Sequence, residues 1–346
     1  MTLTAPFPWF GGKSRAASRI WQALGDVRNY VEPFAGSLAT LLARPHAPHL
    51  ETVNDKDGFL ANFWRALAAE PATVAAYADW PVNENDLHAR HAWLVPQRAR
   101  LTARLEGDPA YYDAPLAGWW VWGLCCWIGG GWCRGSGPWQ IDAAGELVKT
   151  AGPGDGVTRQ RPHLGNAGAG VHRSLPHLGN AGKGVTRKRP HLGGRGAAGM
   201  GIHSKTIRLD GLAAYCAALA ARLRTVRVAC GDWSRVMSPS VTTQHGLTGV
   251  LLDPPYAHAS RDPDVYVCDD DPSEQVRAWA LAHGDDPQLR IVLCGYAGQA
   301  MPATWQAIPW KANGGYGSQG QGRGRANADR ERLWCSPACL PVEGPA

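Results

Sequence analysis

No stretch of the 346-residue chain approaches the ~18 consecutive apolar residues that a bilayer-spanning helix requires. Its opening residues, MTLTAPFPWF, lack the basic start and apolar run of a signal peptide. A membrane role is therefore not expected, and a cytoplasmic location is. The nine cysteines are odd in number and include no CxxC pair, the Cys335/Cys339 spacing near the end being the nearest approach to one. That argues against a disulfide framework and a zinc knuckle, and the thiols are expected to be buried or idle. Acidic residues are missing altogether from residues 156–209, where ten Lys or Arg fall, among them Arg159, Arg161, Arg173, Lys183, Arg187, Lys188 and Arg189. The whole chain carries +6, so the rest of it stands at −4 without those ten. A basic insert on a mildly acidic body is the footprint of phosphate binding, although a solvated basic loop has the same composition.

Hydrophobic residues make up 45% of the chain, enough for a globular core, while 42 Gly and 26 Pro imply long loop-rich parts. Residues 29–42 read as a strand, a glycine turn (Pro33, Phe34, Ala35, Gly36, Ser37) and an Ala/Leu helix. Such a turn lets a ligand approach the backbone and meet the free N–H groups of a helix start. Residues 51–55 read as a second strand ending at Asp55, followed by an amphipathic helix over 59–67. Asp55 suits a ribose in such a unit, or equally the N-cap of that helix. Residues 70–104 have a helical pattern, and the aromatic block 119–132 is expected mainly to fill a core, with base stacking as its functional alternative.

An internal repeat of period fourteen follows: Arg161-Pro162-His163-Leu164-Gly165-Asn166-Ala167-Gly168, then 175–182, then 189–193. The copies are too short and too polar for a solenoid, and their Pro and Gly specify turns that display His, amide and basic groups. No Cys or carboxylate accompanies the His, so metal binding is not expected. Regular α/β structure resumes with a helix over 212–223 and strands over 226–229 and 249–252. The strands run into Cys230-Gly231-Asp232-Trp233 and Asp253-Pro254-Pro255-Tyr256. A helix over 273–283, a strand over 290–294 and a closing pair near 305–310 and 332–335 complete the sheet, around a Gly- and Arg-rich connector at 314–330. Ligands gather beyond the carboxyl ends of strands in an open sheet, so Glu32, Asp55, Asp232 and Asp253 are candidates for one crevice.

A base amine conjugated with its ring is a poor nucleophile, and acceptors that hold its hydrogens turn its lone pair outward. Asp253 and the Pro254 carbonyl suit that task; Pro254 and Pro255 stiffen the loop, and Tyr256 can stack on a base swung out of a duplex. The bland reading of the same residues is a turn with an aromatic cap. Six motifs in order resemble the Dam-like DNA adenine-N6 methyltransferases: Pro8-Trp9-Phe10-Gly11-Gly12-Lys13, residues 30–37, Asn54-Asp55-Lys56-Asp57, Gly231-Asp232-Trp233, Asp253-Pro254-Pro255-Tyr256, and Glu331-Arg332-Leu333-Trp334.

The resemblance implies an α/β fold: a Rossmann-like methyltransferase core from residues 1–70 and 210–346, with an inserted, loop-rich DNA-recognition domain over 71–209. It implies S-adenosyl-L-methionine as cofactor, with Trp9 and Lys13 against it, Pro33, Phe34, Ala35, Gly36 and Ser37 as its glycine loop, Asp55 on its ribose, Asp232 on its adenine, and Asp253 facing both cofactor and target amine. Double-stranded DNA is the expected partner, read with help from Arg134 and the basic insert, by a protein compatible with a monomer. Residues 126–134 depart from the Asn-Arg and Asn-Gly steps that family members often carry in the DNA-reading hairpin. No Cys follows a Pro, which removes a cytosine-C5 enzyme, and the glycine turn lacks the G-x-G-x-x-G of an NAD enzyme. Cytosine-N4 methylation and a catalytically silent DNA-binding module remain as alternatives.

Overall fold

A computed structural model describes residues 3–7, 9, 11–127, 132–133, 139–142, 144, 147–149, 209–255, 271–310 and 330–342. Helix α1 (Ala17–Leu24) precedes strand β1 (Asn29–Glu32), the short helix α2 (Ala39–Leu42), β2 (Leu50–Asp55) and α3 (Gly58–Ala69). The helical region then divides into α4 (Pro71–Ala78), α5 (Glu84–Leu94), α6 (Gln97–Gly107) and α7 (Ala114–Cys126), with a small antiparallel hairpin, β3 (Trp139–Ile141) and β4 (Leu147–Lys149), after it. The second half runs α8 (Leu209–Leu223), β5 (Val226–Cys230), β6 (Thr248–Leu252), α9 (Ser273–His283), β7 (Leu289–Tyr296), β8 (Gln306–Pro309) and β9 (Glu331–Cys335).

The main sheet has seven strands in the order β5-β2-β1-β6-β7-β9-β8. The first five are parallel, while β9 lies antiparallel between β7 and β8. This mixed α/β sheet agrees with a Rossmann-like methyltransferase fold. Strands β1 and β6 are buried along their whole length, as expected of parallel strands covered on both faces. Consecutive residues serve opposite faces: Tyr30, Leu251 and Val292 enter one core cluster, and Val31, Val250, Leu252, Ile291 and Leu293 the other. The first cluster also takes in Trp64 of α3, Trp120 and Trp122 of α7 and Leu219 of α8; the second holds Val276 and Ala280 of α9. The tryptophans of the aromatic block that α7 carries are thus core residues, with Trp119 half-buried at its rim.

From β1 the chain steps outward to β2 and β5, then returns to β6 on the other side of β1. The strand order reverses there, and in open α/β sheets the crevice outside the carboxyl ends of such a pair is where ligands bind. Among the described residues no helix is long and apolar enough to cross a membrane, and no group of His, Cys, Asp or Glu is arranged to hold a metal ion.

Candidate active site

The glycine turn after β1 is held by its neighbours on every side. Gly36 has φ of 49°, and a Cβ there would come within 2.7 Å of Trp9 Nε1, so the Trp9 indole lies directly on the turn. The Gly36 carbonyl accepts from Trp64 Nε1 at 3.0 Å, and its N–H donates to Asp55 Oδ2 at 3.1 Å. Asn54, at the end of β2 and almost wholly buried, donates from Nδ2 to the carbonyls of Pro33 (3.1 Å) and Gly231 (3.0 Å). One side chain therefore fixes the turns that follow β1 and β5. Ser37 is buried beneath the turn, and the Phe34 ring stacks on Trp233 at 6.4 Å.

Asp55 uses its other oxygen as well, accepting the Asp57 N–H at 2.9 Å. The N-cap of α3 is Asp57, whose Oδ1 accepts from Phe59 N at 3.0 Å, which settles that local alternative for Asp55. Burial pushes the Asp55 carboxyl up to about 7, against the opposing pull of the Asp57 and Gly36 amides. Asp232 follows β5 and accepts from Ser234 N at 3.0 Å and Ser234 Oγ at 2.6 Å, opening a turn of 3-10 helix over Trp233–Val236.

Beyond the switch point, Lys13 Nζ lies 2.7 Å from Asp253 Oδ1 and donates to the Gly11 carbonyl at 2.8 Å. The lysine side chain is 5% exposed and the aspartate 21%. Burial works against the ammonium, yet the facing groups, Asp253 first and then Cys294 and Glu331, hold its pKa above the ordinary lysine range. Lys13 also sits 5.5 Å from the ring centroid of Trp310, a buried indole whose Nε1 has no hydrogen-bond partner among the described residues. Glu32, at the end of β1, is 4% exposed and accepts the Tyr30 hydroxyl at 3.0 Å. Burial moves its carboxyl up to about 8; the Tyr30 bond opposes that rise, while Asp253 and Glu51 add repulsion and Lys13 offsets some of it.

Glu32, Asp55, Asp232 and Asp253 thus end or follow four adjacent strands, and Trp9, Lys13 and residues 33–37 join them at the same edge. Pro254 is buried and Pro255 half-buried. Tyr256, Arg134, Arg159, Arg161, Arg173, Lys183, Arg187, Lys188 and Arg189 lie outside the described residues. Sequence reasoning missed the pairing of Lys13 with Asp253, the clamp made by Asn54, and Trp310. Asn54 could have been flagged as a polar residue within an apolar strand, but Trp310 carries no local signal. The chemistry of the donor set fits a nucleoside cofactor: carboxylates at two strand ends, a turn too close to Trp9 for any side chain, and a buried indole N–H without a partner among the described residues.

Residues 9–90 match the model of the family described as D12 class N6 adenine-specific DNA methyltransferase. No curated protein matches the chain.

Proposed function

We propose that the chain is an N6 adenine-specific DNA methyltransferase of the D12 class, whose family model matches residues 9–90, and that the crevice at the carboxyl ends of β5, β2, β1 and β6 is its catalytic site. The observation that carries this assignment is the Lys13–Asp253 pair at 2.7 Å beside the switch point. Bound S-adenosyl-L-methionine supplies an electrophilic methyl group on a sulfonium. Trp9 and residues 33–37 wall its pocket, Asp55 holds the ribose and Asp232 the adenine.

Lys13 holds Asp253 through Oδ1 and the Cys294 thiol hydrogen-bonds the same carboxylate, which positions it to accept a hydrogen of the target amine. The Pro254 carbonyl would accept the other, which turns the nitrogen lone pair out of conjugation with the ring and makes it available to an electrophile. Two consecutive prolines limit the loop's freedom, so the acceptors need little rearrangement when a base arrives. Tyr256 stacks on the adenine once it leaves the duplex, a requirement for any enzyme that works on a base edge. Asp253 needs no metal to act as acceptor in this scheme.

Residues 1–70 and 210–346 make up the catalytic core in this reading, and residues 71–209 the DNA-recognition region. Arg134 and the basic repeats contact duplex phosphates. The test is mass spectrometry of nucleosides from DNA incubated with the protein and methyl-labelled S-adenosylmethionine. Label on N6-methyladenine is the expected result. Label on N4-methylcytosine instead would keep the amine chemistry and overturn the base assignment, and the absence of label despite cofactor and DNA binding would overturn the catalytic reading.

A further inference from the structure

Trp132 and Cys133, within residues 126–134 that stand where the DNA-reading hairpin is expected, form a turn held more tightly than a loop needs. A Cβ on Gly123 of α7 would come within 1.8 Å of the Trp132 indole, so that ring occupies the space a side chain would take. Trp132 Nε1 donates to the Trp120 carbonyl at 3.0 Å. Cys133 is fully buried and has φ of 55°, a conformation that non-glycine residues keep only where their surroundings impose it. Its N–H donates to His91 Nδ1 at 3.2 Å. The His91 ring stacks on Trp127 at 4.9 Å, and burial pushes its pKa down to about 4, so it is a neutral acceptor at ordinary pH.

The carbonyl of Cys133 leads elsewhere. It accepts from Arg98 Nη2 at 3.0 Å, while Arg98 Nη1 donates to Asp57 Oδ1 at 2.8 Å. Asp57 caps α3, and its own N–H donates to Asp55 Oδ1, whose second oxygen holds the Gly36 amide. The guanidinium lies over the Phe59 ring at 4.6 Å, which orients its plane. One planar fork thus joins the root of the hairpin to the carboxylate assigned to the ribose and to the glycine turn behind it. A lysine ammonium is a point donor and does not reproduce that two-acceptor geometry.

We propose that Arg98 is a positioning residue that couples DNA binding to cofactor binding, so that each ligand tightens the other. The proposal rests on the functional reading above, in which residues beyond Cys133 contact DNA and Asp55 contacts the cofactor. Arg98 touches neither ligand. A duplex that moves the hairpin root displaces the Cys133 carbonyl, Arg98 follows it, and the Asp57 cap and the Asp55 carboxylate shift with the guanidinium. Arg98 and Asp57 are exposed by 25% and 8%, respectively. Asp57 is buried, so removing its partner outright costs stability, and Arg98→Lys, which keeps a cation beside it, separates communication from folding.

The test measures S-adenosylhomocysteine binding by calorimetry, with and without a saturating unmethylated plasmid fragment that wild-type protein has been shown to label. Wild type is expected to bind the compound at least about 5-fold more tightly on DNA, and by reciprocity to bind DNA more tightly by the same factor with the compound present. Arg98→Gln is expected to reduce both factors below about 2-fold while its DNA-free affinity stays within about 3-fold of wild type. Arg98→Lys keeps the charge and the stem packing, serves where Arg98→Gln does not fold, and is expected to lose the coupling too.

Coupling that survives in a folded Arg98 variant, or a wild type with none, overturns the proposal. So does a uniform fall in DNA-free affinity with the ratio intact, which is the mark of a structural role. A wild type that neither labels DNA nor binds the compound removes the functional reading itself, and this inference with it.

Discussion

Replacing Glu32 by Gln should leave the protein's stability at pH 5 nearly unchanged and raise it clearly at pH 9. The side chain is 4% exposed and its carboxyl is displaced from 4.5 to about 8, first by burial. The folded state therefore holds this proton more tightly than the unfolded chain does. The resulting stability is fully present below pH ~4.5 and is lost as pH rises through about 8. At about 1.36 kcal/mol for each decade of proton affinity, the loss on full ionisation is on the order of 4–5 kcal/mol, and water drawn towards the charge reduces it to about 3 kcal/mol. Glutamine keeps the volume and an oxygen acceptor for the Tyr30 hydroxyl, and it does not ionise. The facing groups Tyr30, Asp253, Glu51 and Lys13 are common to both proteins, so the difference between them isolates Glu32. Urea unfolding at intervals from pH 5 to pH 9 gives the comparison. The reasoning fails if the two stability curves stay parallel across that range.

Asp253→Ala is expected to abolish methyl transfer in a single-turnover assay while duplex affinity, read by fluorescence anisotropy, remains within a few-fold of wild type. Lys13→Gln strips a half-buried carboxylate of its partner; breaking fully buried pairs costs about 3–5 kcal/mol, and the partial exposure of Asp253 reduces this to about 2–3 kcal/mol. A thermal melt reads that loss, and labelling should fall with it by more than about 100-fold if Lys13 fixes the acceptor. Gly123→Ala forces a methyl into the Trp132 ring and should destabilise by about 2–3 kcal/mol, seen as a lower urea midpoint. Changing Arg187, Lys188 and Arg189 together to Ala should weaken DNA binding and reduce the slope of log affinity against log salt by about 0.9 for each phosphate no longer neutralised. An unchanged slope would remove the insert from the interface.

The strand ends were legible because each short stretch carries β-branched residues and is closed by an acid: residues 226–230 before Asp232, 50–55 at Asp55, 29–32 at Glu32 and 248–252 before Asp253. Burial on both faces writes itself into the apolar run 248–252, while the edge strand 226–230 stays partly exposed, and the glycine turn needs a residue type that composition makes visible. What joins these ends is not local. Nothing near Lys13 reports that it meets Asp253, since the two meet only because β1 and β6 pair and the segment before α1 crosses their carboxyl edge. Asp55 and Asp57 are two residues apart, and both could cap a helix; the backbone decides in favour of Asp57, and that frees Asp55 to hold Gly36. The aromatic block reads as core from its density, while the use of Trp132 as a plug against a bare glycine follows from packing alone.

The sheet order also explains how so unusual an insert can be accommodated. Strands β2 and β5 are neighbours, yet α3 to α8 and the basic repeats lie between them in sequence. Helices α4, α7 and α8 pack together with α3 in one core cluster that also takes in Trp132 and Cys133, so Cys133 on one side of the insert and α8 on the other are held by the same body. Closing a loop costs only ~0.6 kcal/mol more for each doubling of its length. Residues inserted between those anchors therefore need not disturb the register that aligns Asp55 with Cys230. In the proposed reading, the edge built from the strand ends β5, β2, β1 and β6 can stay constant while the residues between those anchors vary. That separation accounts for a chain whose acids at the strand ends resemble a known family while residues 126–134 and the fourteen-residue repeats do not.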